Sequence, residues 1–419
     1  MDFRAVTKLS CILLFAAALA ADEVADSRRL QQEALAAYRS GDKGAFLTKI
    51  RAASLLRPQH PTLLVQFAVA LAANGRHLES LNLLERVAAM GFVHPLTDPA
   101  LEPVRALPRF AAVAERMGAN ARPTGAAKRE ATIEQMGLIP EGMAYDAKKR
   151  RFFVSSVRRK TIFAIDSAGR VTPFLTTALW GVFGMAVDAK RNVLWATTTA
   201  LPQVDGFTKE DDGKSALLQI DLDSGSIVDA LRAGDGGAHH FGDVAIASDG
   251  EVFVSDSRTP VIYRVAGSVL EPYARGPFVS LQGIAPSEGL LYAADYAKGL
   301  LVIDRATRDV HVMRVPNDVS LLGVDGLYVL DRHTLIATQN GTTPNRVIRI
   351  RLTANRLAVE SVRTLAANLA GMGDPTLGVL VKNRFFFNAN AQWDLFGEDG
   401  RIADPLKLTE AVVMSVAAE

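Results

Sequence analysis

One pattern, a short apolar run, a charged or glycine turn and a second apolar run ending in small polar residues, returns six times after residue 137. It is clearest in "PEGMAYDAKKRRFFVSS" (140–156), "VFGMAVDAKRNVLWATT" (182–198) and "HFGDVAIASDGEVFVSD" (240–256). It continues in "SLQGIAPSEGLLYAAD" (280–295) and "SLLGVDGLYVLDRHTLIAT" (320–338), and in weaker form in "DPTLGVLVKNRFFFNAN" (374–390). Alternating apolar residues in runs this short, punctuated by Gly and Asp, are strands and turns. A third apolar run follows each of the first five pairs, as in "TIFAIDSAG" and "ALLQIDLDSG". Gly142, Gly184, Gly242, Gly283 and Gly323 mark a shared position, with spacings of 42, 58, 41 and 40. The long spacing holds "LPQVDGFTKEDDGKS" (201–215), a polar loop expected at a rim. A four-stranded unit cannot bury both faces alone; stacked radially, six of them cover each other and shelter their edges. The expected fold is mostly β: a six-bladed β-propeller over 134–402, with 403–419 as a C-terminal tail or ring-closing segment.

What precedes the repeats reads differently. Residues 27–117 carry helical periodicity, and Gly41 and Gly75 stand 34 residues apart, each in a polar turn between apolar helices, with prolines at 58 and 61 between the units. This period and layout resemble the tetratricopeptide repeat. Two units are evident, and Leu101, Val104, Phe110 and Val113 are placed to cover the open face. Such a small α-helical repeat domain presents a surface to a protein partner or packs on its own neighbour; both readings stay open. His60, His77 and His94 fit repeat geometry or surface, not metal. The stretch "GANARPTGAAKREATI" (118–133) reads as a linker.

Residues 1–20 read as an export signal: Arg4 and Lys8, an apolar core at 11–19, then a small-x-small site at Ala18–Ala20. The alternative is an uncleaved anchor helix. Periplasmic or secreted location follows from the signal reading. Cys11 is the chain's single cysteine, so the mature protein would hold no disulfide, thiol nucleophile or cysteine-bound zinc. With 47 basic against 45 acidic side chains, nothing favours a nucleic-acid partner, and no later stretch is transmembrane in character.

"PEGMAYD", "GDVAIASDGEVFVSD" and "QGIAPSEGLLYAAD" resemble blades of the SMP-30/gluconolactonase-like superfamily, whose wider circle includes paraoxonase-like and strictosidine-synthase-like propellers. The resemblance spans about 137–400. It implies a divalent cation, commonly calcium, held by oxygen ligands at the central channel, where it polarises a lactone or ester carbonyl while a carboxylate handles the proton. Carried across, Glu141 matches the first-blade glutamate. Gln282 stands where an asparagine is common, and Asp325 matches a later aspartate, with Asp331 as the other alignment. At Gly242-Asp243 the aspartate is kept and the asparagine ligand is gone. The metal candidates are therefore Glu141, Gln282 and Asp325, for one Ca2+ or other divalent cation. The catalytic candidates are Asp243 and His240, the latter as a base on water. Of the adjacent pair His239-His240, at most one can face the site.

Each residue also has a plainer reading. Glu141 can pair with a basic side chain, and Asp243 and Asp325 can tie turns. Trp180, Phe183 and Trp195 can stack on a ring-shaped ligand or pack as blade core, and the aromatic-rich "FFFNANAQWDLFGEDG" (385–400) can close the ring or line a pocket. No G-x-S-x-G elbow supports a serine hydrolase. Two functions compete: a binding module for a small molecule or protein, with a degraded channel metal site, and a calcium-dependent lactone or ester hydrolase.

Overall fold

The computed structural model describes residues 23–419; the signal reading of 1–20 and Cys11 lie outside the described residues. They divide into two compact units, one holding residues 23–122 with Arg314–Leu322 and Thr342–Pro344, the other holding the remainder.

The first unit is helical: residues 23–39, then Lys43–Leu56, Pro61–Ala73, His77–Ala89, the single turn Glu102–Arg105, and Phe110–Asn120. Gly41 and Gly75 both take left-handed backbone (φ +80° and +77°), which lets each helix stop and its successor turn back. The Asp42 carboxylate accepts a hydrogen bond from the Ala45 N–H at 2.9 Å and caps one helix, and Pro61 opens the next. Phe46, Ile50, Leu63, Leu64, Leu81 and Leu84 form the core, which Leu101, Val104, Phe110 and Val113 extend.

The second unit is a six-bladed β-propeller. Its first innermost strands are Pro140–Asp146, Gly181–Asp188 and Phe241–Ile246. Leu281–Ser287, Val324–Asp331 and Gly378–Val381 follow. In the first five blades, successive antiparallel strands step outward in chain order. Apolar side chains of neighbouring blades interdigitate, as where Phe153, Ile162, Leu194 and Leu218 join the first and second blades. Trp195, Phe241, Val254 and Tyr263 join the second and third.

Ring closure corrects the expected boundaries. Blade six runs Gly378–Val381, Arg384–Asn388, Glu410–Ala417, and then Lys128–Met136 from the far end of the propeller sequence. The stretch 118–133 is thus not a linker: it holds the end of a helix, a two-residue strand pairing with Ala366–Ala367, and the start of that outermost strand. Strand Glu410–Ala417 lies beyond the expected end at 402, and is the ring-closing alternative given for 403–419.

A second correction concerns register. In each of the first five blades the innermost strand slips against its neighbour over two residues: 141–142, 183–184, 242–243, 282–283 and 325–326. These bulges define the equivalent positions. The shared second position is therefore Gly142, Gly184, Asp243, Gly283 and Gly326, not Gly242 in blade three or Gly323 in blade five. The physical cause is crowding near the axis. A Cβ on Gly142 would overlap the Phe183 carbonyl, and one on Gly184 would lie 2.7 Å from the Asp243 Cα. A side chain fits only where the neighbour leaves room, as it does for Asp243.

Candidate functional site

Because the second bulge position faces the adjacent blade, the first faces the channel. Read around the ring, the first position holds Glu141, Phe183, Gly242, Gln282 and Asp325. Leu377 precedes the corresponding Gly378 of blade six. All six line one cavity of about 720 Å³. The assignment places Asp325, not Asp331, at the channel; Asp331 lies at the far end of that strand and is exposed.

Hydrogen bonds between blades fix each group. The Glu141 carbonyl accepts from the Leu377 N–H at 3.0 Å and the Asn388 side-chain amide at 2.9 Å. Ser155 accepts from the Gly142 N–H at 2.6 Å and donates to the Phe183 carbonyl at 2.9 Å. Thr338 accepts from the Gly326 N–H at 2.8 Å. In blades one and five, small polar residues near the end of the second strand therefore fasten the bulges. Asp256 and Asp295 tie the turns that follow, accepting the N–H groups of Arg258 and Thr259, and of Ala297 and Lys298.

The cavity gathers all five predicted site residues, Glu141, His240, Asp243, Gln282 and Asp325, and adds Asp374, Asn340, Tyr296 and Trp393. Glu141 Oε2 accepts from the Trp393 Nε1–H at 2.9 Å. Asp325 Oδ2 accepts from the Asn340 amide at 2.7 Å, and Asn340 Oδ1 in turn accepts from the Tyr296 hydroxyl at 2.9 Å. Asp243 accepts from the Val244 N–H at 2.9 Å and the Ile284 N–H at 3.1 Å, so it spans blades three and four. Asp374 takes the N–H groups of Gln392 and Trp393 at 2.7 and 2.9 Å. The plainer reading of Glu141, a partner for a basic side chain, does not hold: among the described residues, no Lys or Arg lines the cavity.

These carboxyls resist ionisation. Burial pushes Glu141 well above the ordinary range, and the charges of Asp325, Asp374 and Asp243 add to it against the Trp393 N–H. Burial lifts Asp243 to about 7, against its two N–H donors, and Asp325 to about 6, against Asn340. His240 is held neutral: burial lowers its pKa to about 4. Its ring meets Phe183 edge-on, at 5.1 Å between centroids. His239 turns away and is clamped between Asp256 (2.6 Å) and Asp235 (2.8 Å).

The residues were tested against the cation that the resemblance implies. Ca2+ takes about 6–8 oxygen ligands at roughly 2.3–2.6 Å. Phe183, Gly242 and Leu377 bring no side-chain oxygen, and both oxygens of Asp243 are occupied by backbone donors. Among the described residues, no three His, Cys, Asp or Glu side chains gather as a set that could hold a metal ion. The ring does not fit a divalent cation.

The aromatic residues divide between the two readings that the sequence left open. Trp195 is buried blade core, whereas Phe183 faces the cavity and stacks on Trp393, their ring centroids 6.4 Å apart and planes at 25°. The insertion 201–215 lies at the rim: Leu201 and Gln203 line the cavity, and Gln203 donates to the Gly397 carbonyl at 2.9 Å. Asp374 and Trp393 were missed as site residues although both lie in stretches that sequence reading singled out, the sixth repeat and an aromatic-rich segment (385–400). Nothing in the sequence distinguished Asn340.

No protein-family model and no curated protein matches the chain. Among solved structures, a luciferin-regenerating enzyme matches at 13% identity and TM-score 0.50, over 71% of this chain and 95% of its own. A gluconolactonase from Xanthomonas campestris matches at 16% and 0.49, over 68% and 88%. A calcium-binding protein, regucalcin, from Agrobacterium tumefaciens strain C58 matches at 13% and 0.49, over 70% and 93%. The likeness is one of fold, the propeller architecture that the blade motifs resemble.

Proposed function

We propose that this protein is an exported ligand-binding propeller that takes a small molecule in the channel-mouth cavity, at a metal position whose ligand ring has degraded. The observation that carries this reading is the ring itself: Glu141, Phe183, Gly242, Gln282, Asp325 and Leu377, of which three have no side-chain oxygen. What remains is a recess with acceptors on one side and the Phe183–Trp393 wall on another, a set suited to recognition. The helical unit, tetratricopeptide-like in its spacing, supplies a second surface for a protein partner. Leu55 and Leu78 stand 71% and 62% exposed on its helices. Export rests on the pattern of residues 1–20. Among the described residues no helix is long and apolar enough to cross a membrane.

The alternative, a calcium-dependent lactone or ester hydrolase, draws on one observation: Glu141, Asp243, Gln282, Asp325 and a neutral His240 share a single cavity. Calorimetric titration with calcium separates the two. The binding reading expects no saturable site in the wild-type protein. A one-to-one site that Glu141→Gln abolishes, with turnover of lactones or aryl esters, would replace it by the hydrolase.

A further inference from the structure

The cavity holds four carboxyl groups that no cationic side chain of its walls balances. Glu141, Asp243 and Asp325, from blades one, three and five, are 8%, 6% and 6% exposed, and Asp374 joins them from blade six. Among the described residues, no Lys or Arg lines the space. A buried carboxylate without a cationic partner is costly, so it holds its proton or takes a cation from outside. Two oxygens are left open for such a cation. Oε1 of Glu141 and Oδ1 of Asp325 accept no hydrogen bond among the described residues, while their partner oxygens are fixed by Trp393 and Asn340. Both oxygens of Asp374 and of Asp243 already serve backbone donors, and each still contributes its charge.

An organic ammonium group makes different demands from a metal. It needs no closed shell of oxygens, donates hydrogen bonds in several directions, and can bridge two carboxylates. Its methylenes pack on aromatic faces, and its charge is favoured over an indole ring. The nearly parallel rings of Phe183 and Trp393 provide that wall beside Glu141. Four carboxyl groups, contributed from four blades, are more than one ammonium can pair with.

We infer that the cavity binds an aliphatic diamine or polyamine, one ammonium between Glu141 and Asp325, its chain along Phe183 and Trp393, and a second ammonium toward Asp374. The inference rests on the reading of this cavity as a binding site and names its ligand class. The Tyr296–Asn340–Asp325 chain of hydrogen bonds orients the free oxygen of Asp325 and makes Asn340 a positioning residue.

The test is calorimetry on the whole protein with 1,4-diaminobutane, spermidine, butylamine, 1,4-butanediol and calcium chloride in parallel. Diamine and triamine are expected to bind one-to-one, butylamine about tenfold more weakly, and the uncharged diol not at all. Asp325→Asn is expected to weaken diamine binding about tenfold or more. Asp166→Asn, a half-buried acid on a blade-one turn outside the cavity, should leave it within about twofold. Thermal melts of both variants check that they fold. Diamine binding that Asp325→Asn leaves unchanged overturns the inference. If neither amines nor calcium bind, the amine class falls and the binding-module reading stands. If calcium alone binds one-to-one, both fall.

Discussion

Glu141 shows how one side chain's role depends on neighbours far away in sequence. Its backbone is held by blade six, one carboxylate oxygen by Trp393, and its ionisation is opposed by burial and by Asp325. This has a consequence for stability. Aspartates titrate near about 3.9 in the unfolded chain, whereas burial holds Asp325 at about 6 and Asp243 at about 7. Their folded pKa is raised, so the folded state binds more protons between these values. Their contribution is fully present below the unfolded pKa and is lost as pH rises through 6 to 7. His240 and His60, lowered by burial to about 4, act oppositely: they cost stability as pH falls below their ordinary value of 6.5. Comparing variants isolates the carboxyl effect. Asp325→Asn removes one charge from the cluster and should melt above wild type near pH ~8, by ~2–4 °C per kcal/mol relieved. The gap should close toward pH ~5, where the aspartate is protonated. Melting curves across that range check it; a variant less stable at both ends would show that the cluster is not repulsive.

At the scale of the element, the two-residue slip at the start of each innermost strand decides which side chain enters the channel. Sequence alone could place the repeats to within a few residues, but it left Asp331 as an alternative to Asp325 and took Gly323 where the structure has Gly326. A one-residue shift exchanges the faces of a strand, and a bulge inserts that shift without any single residue type announcing it. The glycine at the second bulge position is required by close approach to the next blade. Gly142→Ala drives a methyl group into the Phe183 carbonyl and should cost about 3 kcal/mol in chemical denaturation. Gly234→Ala, where a Cβ meets nothing within 4 Å, should stay within about 0.5 kcal/mol. Equal effects of the two would remove crowding as the reason for the glycine.

Across the whole molecule, blade six is built from both ends of the propeller sequence, with Lys128–Met136 pairing against Glu410–Ala417. Opening the ring at blade six therefore releases both ends of the propeller sequence. A chain ending at residue 402 loses that pairing and also exposes the edge of Arg384–Asn388, which pairs with the same strand. It should lose its cooperative thermal transition, seen by calorimetry or circular dichroism. A melt like that of the intact chain would mean that five blades and a fragment hold the ring.

The sequence by itself determined the class of fold: the six returns, the period-two alternation and the turn residues are local, and local patterns specify strands and their number. It also supplied the candidates, because a glutamate before a glycine at a repeat start is visible without coordinates. Only the tertiary structure decided what those residues amount to. Whether Glu141, Asp243, Gln282 and Asp325 converge on a cation depends on Phe183, Gly242 and Leu377 filling the other ring positions. It depends too on the Ile284 N–H of the next blade reaching one oxygen of Asp243. Those neighbours lie about 40 to 250 residues away, and distance in space between residues so separated is set by packing, which no local pattern encodes.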